Sequence, residues 1–191
     1  MAGTLTVQNI QGPASGANAN KIIIPSGQTL SVTDGVQASD MPAGSVLQVV
    51  GASSNPIQFS SGTGAEAIRA TITKQSNSDV WVQVNGVWGD DGNPFHARFY
   101  LQRSTDSGST WVEPETLSWY DGTYTFGSYE GNSVSNHHTF HYTLKDTVSA
   151  TSVIYRLVVE GNNSGYTMSV GRRGSSQFGQ KTKMTLMEIA G

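Results

Sequence analysis

No cysteine occurs among the 191 residues. That excludes a disulfide framework, a thiolate metal site and a cysteine nucleophile. Charge is also scarce. Asp, Glu, Lys and Arg make up 13% of the chain, against roughly 25% in an average soluble domain. The 11 Lys and Arg residues form no stripe, so the electrostatic footprint of a nucleic-acid binder is missing. No apolar run approaches the ~18–20 residues that span a bilayer, and the longest compact one is Ile22-Ile23-Ile24. The opening Met1-Ala2-Gly3-Thr4 has neither the basic region nor the apolar core of a secretory signal. The expectation is a chain made in a cytosol that inserts in no membrane, binds no nucleic acid and needs no cofactor.

In place of charge the chain carries 22 glycines with many Ser, Thr and Asn residues. That mixture is poor in helix formers and rich in strand and turn formers. Residues 1–44 are low in aromatics and contain a Gly/Pro/Ala/Asn linker at 11–20. Three consecutive isoleucines in that segment need another surface to cover them, either the rest of the chain, a sister chain or a docking socket. From residue 45 to 191 short strand signals recur. They fall near 45–50, 56–60, 67–75, 80–88, 95–104, 116–120, 124–128, 137–146, 153–160, 166–171 and 182–190. Turn clusters such as Ser76-Asn77-Ser78-Asp79 and Asp106-Ser107-Gly108-Ser109 separate them. No helical period is present. Many short strands with regular turns predict an all-β sandwich, jelly roll or barrel at 45–191, behind an extended N-terminal segment at 1–44.

Several strands carry bulk on both faces. In 153–160, Val153, Tyr155, Leu157 and Val159 oppose Ile154, Arg156, Val158 and Glu160. In the last strand, Met187 and Ile189 oppose Met184 and Leu186. One face of such a strand enters the sandwich core, and the other must meet something else. A neighbouring subunit is the economical answer, so Ile154, Val158, Met184 and Leu186 are assigned to a subunit interface.

Ile22-Ile23-Ile24-Pro25-Ser26-Gly27-Gln28-Thr29-Leu30 and Gly44-Ser45-Val46-Leu47-Gln48-Val49-Val50 resemble the opening of fibre-like proteins of tailed phages, marine and cyanobacterial ones especially. Ala70-Thr71-Ile72-Thr73, Phe95 to Arg103, Tyr155-Arg156-Leu157, Val170-Gly171-Arg172-Arg173-Gly174 and Met184-Thr185-Leu186-Met187-Glu188-Ile189-Ala190-Gly191 resemble their heads. The resemblance implies a TNF/C1q-like jelly roll that assembles as a homotrimer. It also implies a virion fibre or spike that mediates host attachment and docks to other virion proteins through its N-terminal segment. The alternative is a capsid decoration or head-fibre protein with a purely structural role. With only ~45 residues ahead of the head, a short spike fits better than a long fibre.

Candidate chemistry is sparse. His137, His138 and His141 are the densest titratable cluster, but on a strand His137 and His141 lie about 13 Å apart. That is too far for two ligands of one metal within a chain. Asp90, Asp91 and Asn93 offer oxygen ligands in a turn without the full spacing of a calcium loop. Glu113 and Glu115 flank Pro114 and would need a shared cleft to act as a glycosidase pair. Gly62-Thr63-Gly64 is not followed by Lys-Ser/Thr and is no phosphate loop, and no serine sits in a nucleophile elbow. The expectation is a protein without enzymatic activity and without a bound metal.

Aromatic residues next to amides and carboxylates suit carbohydrate recognition, because a ring stacks on sugar C–H groups while its neighbours bind hydroxyls. Trp88, Trp111, Trp119, Tyr120, Tyr124, Phe126 and Tyr129 lie in or beside Gly/Asp/Ser-rich segments. The residues assigned to a receptor surface, for a host glycan or protein, are Trp88, Asp90, Asp91, Trp119, Tyr120, Tyr124, Tyr129, Arg172 and Arg173. The competing reading makes several of the rings core residues.

Overall fold

The computed structural model describes residues 13–17, 23, 26–27, 41–60, 62, 64–90, 96–119, 122–129, 137–161, 167–171 and 179–191. The chain divides into two compact units, Met1–Val36 and Gln37–Gly191. The second holds every strand of the described residues. They are β1 (Val46–Ser54), β2 (Ile57–Ser60), β3 (Ala65–Thr73), β4 (Ser78–Asp90), β5 (His96–Ser104) and β6 (Leu117–Trp119). Then follow β7 (Gly122–Tyr124), β8 (Phe126–Tyr129), β9 (His137–Asp146), β10 (Ser152–Gly161), β11 (Thr167–Val170) and β12 (Thr182–Ala190). No helix occurs among the described residues.

The strands form an all-β jelly-roll sandwich. The first sheet runs β1-β12-β4-β11-β2, with β9 on the other edge of β4; the second runs β3-β10-β5-β8. All pairings between named strands are antiparallel. The chain crosses between sheets repeatedly, from β2 to β3, β3 to β4, β4 to β5, β8 to β9, β9 to β10 and β10 to β11. Gly44 donates to Ala190 and Ala190 donates to Ser45, at 2.8 and 2.9 Å, which ties the chain entering β1 to the end of β12.

Period-two alternation decides what is inside. Val80, Val82, Val84 and Trp88 of β4, Phe99 and Leu101 of β5, Tyr155, Leu157 and Val159 of β10, and Met184 and Leu186 of β12 are buried between the sheets. Burial of each such side chain stabilises the fold by about 1.5–3 kcal/mol. Gly86 is required where it stands. A Cβ there would lie 2.7 Å from the Phe140 ring, which packs on the bare backbone of β4.

Two polar clusters join the sheets. Arg103 of β5 pairs with Asp146 of β9 at 2.6 Å, and the Tyr155 hydroxyl of β10 donates to the other oxygen of Asp146 at 2.7 Å. Near the end of β12, buried Glu188 accepts from Ser78 Oγ at 2.6 Å, the Gln75 backbone N–H at 2.8 Å and the Gln48 amide. The adjacent Lys74 ammonium donates to the carbonyls of Ser78 and Gln75 at 2.6 and 2.9 Å.

The assignment of Met184 and Leu186 to a subunit interface is corrected here. Both point into the sandwich and are 1% and 0% exposed within one chain. The alternation of β12 was legible, but either of its apolar faces could have been the inner one. Ile154 and Val158 are on the outward face of the second sheet, half-buried by neighbours of their own chain.

Candidate functional site

The outward face of the first sheet carries an apolar surface. In β1, Val46 and Val49 are 53% and 60% exposed, and Trp81 of β4 is 39% exposed. Strand register lines them up: Val49 is opposite Met187, Met187 is opposite Trp81, and Val46 is opposite Ile189. Met187 and Ile189 are half-buried. At about 4.8 Å between strands, β1, β12 and β4 present one continuous row. The row ends where Trp81 faces Lys145 of β9, whose ammonium pairs with Asp79 at 2.7 Å.

A second exposed apolar pair lies elsewhere on the sandwich. Val112 and Leu117 are 51% and 49% exposed. Val112 is bridged to Arg103 of β5, and Glu115 accepts from the Tyr142 hydroxyl of β9 at 2.6 Å. These bonds run the connection from β5 to β6 along the flank formed by β5, β8 and β9. The row on β1, β12 and β4 is on the other side of β4 from β9.

The outward face of the second sheet carries a polar row. Arg69 of β3, Arg156 of β10 and Gln102 of β5 are cross-strand neighbours in one row. The Arg69 guanidinium donates to both oxygens of Glu66 at 3.0 and 2.6 Å. Arg156 Nε donates to Gln102 Oε1 at 2.9 Å, and Arg156 Nη1 is 3.5 Å from the same Glu66. Over both lies Trp111, its ring centre 3.8 Å from the Arg156 guanidinium carbon and 5.2 Å from that of Arg69. The Gln102 amide reaches Glu113 at 3.5 Å, and burial pushes the Glu113 carboxyl above its ordinary range.

The loop that delivers Trp111 is built around one carboxylate. Asp106 accepts from Thr110 Oγ1 at 2.6 Å, Thr110 N at 2.9 Å and Ser104 Oγ at 2.7 Å. These bonds, Thr110 first, hold Asp106 down at about 2. Ser107 and Gly108 adopt left-handed φ values of 60° and 90° to close the turn. Glycine is the natural residue for the second of these.

Two of the residues singled out for a receptor surface lie in the interior of the chain. Trp88 is fully buried and stacks on His138, with ring centres 4.8 Å apart. Tyr124 is 6% exposed and packs on the backbone of Gly127. Neither ring can stack on a ligand, because each fills the interior of its own chain; these two assignments are corrected. Asp91, Tyr120, Arg172 and Arg173 lie outside the described residues, as do the side chains of Asp90, Trp119 and Tyr129. Asp90 ends β4 opposite Met168, Trp119 pairs with Gly122 in the β6–β7 hairpin, and Tyr129 pairs with His96.

The other candidates separate too. His138 faces inward against Trp88, while His141 is exposed opposite Asn85. No group of three metal-capable side chains occurs among the described residues. Glu113 bonds to Gln102 and Glu115 to Tyr142, so the two carboxylates do not share a partner. Missed from sequence were the Val46–Val49–Trp81 row and the Arg69–Arg156–Trp111 stack. Only strand register brings these residues together.

No protein-family model matches the chain, and no curated protein matches it. Among solved structures it is similar to that of Eiger TNF from S. frugiperda. That match has 12% identity and a TM-score of 0.37, over 74% of this chain and 93% of the other.

Proposed function

We propose that the protein is a self-assembling attachment module without catalytic activity: a homotrimer of jelly-roll heads that serves as a short virion fibre or spike. The observation that carries the assembly is the exposed Val46–Val49–Trp81 row, continuous with Met187 and Ile189. Large apolar side chains aligned on a face away from the core mark a surface that is covered in the working molecule. The partner is a second copy of the chain, since the same molecule offers a different apolar surface, Val112 and Leu117 on another flank. When two unlike surfaces meet head to tail, the product is a closed ring or an open filament. A ring of three is what the resemblance to phage fibre heads implies. That same resemblance supports the virion setting and attachment through residues 1–44.

Trp81→Glu tests the assembly half. Sedimentation of the wild-type chain should give a trimer, and the variant should fold and sediment as a monomer. A trimer that tolerates the substitution would place the interface elsewhere. Immunogold labelling of particles tests the setting. Label at the tail or fibre tips supports attachment, whereas uniform capsid label supports a decoration role.

A further inference from the structure

Apart from the assembly face, one polar surface holds an arrangement that folding alone does not require. Arg69 and Arg156 are directly opposite each other on β3 and β10. Like charges in that position repel and destabilise a sheet. One carboxylate, Glu66, bridges both guanidiniums. The next, Glu113, bonds to Gln102 and is held above its usual range by burial. Two guanidiniums therefore share a single bridging counter-ion. Among the described residues Arg69 Nη1 and Arg156 Nη2 have no hydrogen-bond partner, yet their side chains are 46% and 23% exposed.

Both guanidiniums are also held still. Arg156 is clamped between the Trp111 ring and Gln102 Oε1, and Arg69 by its two bonds to Glu66. Trp111 is presented by the Asp106 turn, whose own bonds are local to residues 104–110. A rigid pair of forks with spare N–H donors on an exposed sheet face is the chemistry that binds an oxyanion by charge-assisted hydrogen bonds. Lysines on flexible stems would not give that geometry.

From this geometry we infer that the Arg69–Arg156–Trp111 face binds the acidic group, carboxylate or sulfate, of a charged saccharide. The inference rests on the attachment reading and names its ligand class. Arg69 Nη1 and Arg156 Nη2 donate to the acid, which takes the place of the missing second carboxylate. Glu66 positions the two guanidiniums and competes with the ligand for them. Charge is the recognised feature, so a neutral saccharide of the same length does not bind.

The test uses the full chain and three probes: a hexuronate trisaccharide, a sulfated trisaccharide and the neutral parent, followed by calorimetry and the quenching of tryptophan fluorescence. Binding of one or both acidic probes and not of the neutral one is expected; which of the two binds identifies the acid. Arg69→Gln should weaken binding roughly ten-fold, the value of one charge-assisted hydrogen bond. Glu66→Gln should tighten it, because both guanidiniums are then released to the ligand. A purely structural cluster would give the opposite sign or no change. No binding of either acidic probe, equal binding of the neutral one, or unchanged or weakened binding in Glu66→Gln overturns the inference. Sedimentation of the same samples is read alongside. A trimer that fails to bind sinks the saccharide site alone, and a monomer sinks the assembly reading separately.

Discussion

Trp81 and Leu186 are neighbours in the same sheet and illustrate what one side chain can do on either side of it. Leu186 faces the core at 0% exposure. Leu186→Ala should cost about 2–5 kcal/mol, since the transfer energy is lost and a cavity remains; urea denaturation reads this directly. Trp81 is partly exposed on the other face. Trp81→Glu should leave the unfolding free energy of the single chain within about 0.5 kcal/mol, as surface changes do, while breaking assembly. A large loss of stability in Trp81→Glu would mean that the ring serves the core.

At the scale of elements, the turn after β5 and the end of β12 hold their carboxylates low for the same reason. Asp106 is kept at about 2 by hydrogen bonds from Thr110 and Ser104. At Glu188 burial pushes upward, but bonds from Ser78, Gln75 and Gln48 and the nearby Lys74 outweigh it and leave the group below its ordinary value. A carboxylate with a depressed folded-state pKa adds stability that is present above the unfolded value, near 4, and lost as pH falls through the folded value. Thermal stability should therefore drop as pH is lowered from about 5 towards 2, and Asp106→Asn should flatten part of that slope. An unchanged slope in Asp106→Asn would show that the turn does not hold its carboxylate in this way.

The strands themselves were legible in sequence. Gly/Asn/Ser/Asp turn clusters bounded them, and each predicted stretch from 45 to 190 overlaps an observed strand. The β7 strand was not foreseen, and Gly122–Tyr124 is too short to show a period. What the sequence left open was facing and pairing. Met184 and Met187 are equally apolar, and only the packing of the second sheet on one face of β12 decides that the first is core and the second is surface. Trp88 and Tyr124 resemble recognition residues because glycines and acids flank them, yet Gly86 and Gly127 are close-packing points for the buried rings of Phe140 and Tyr124. Arg69 and Arg156 are 87 residues apart, and only the β3–β10 register brings them together.

For the whole molecule, absence of cysteine and scarcity of charge place the weight of stability on apolar packing within the sandwich. The account predicts a division of labour: the outward face of the first sheet assembles, and the outward face of the second remains available to a ligand. Deleting residues 1–44 should leave a folded head that still trimerises and no longer joins particles. Incorporation of the truncated chain into particles would put the anchor within the head.

Light scattering coupled to gel filtration reads the assembly state of the intact chain. A mass three times the 20.3 kDa of one chain, falling to a single chain mass in Trp81→Glu, is the predicted result. A wild-type chain that stays monomeric at micromolar concentration would contradict it.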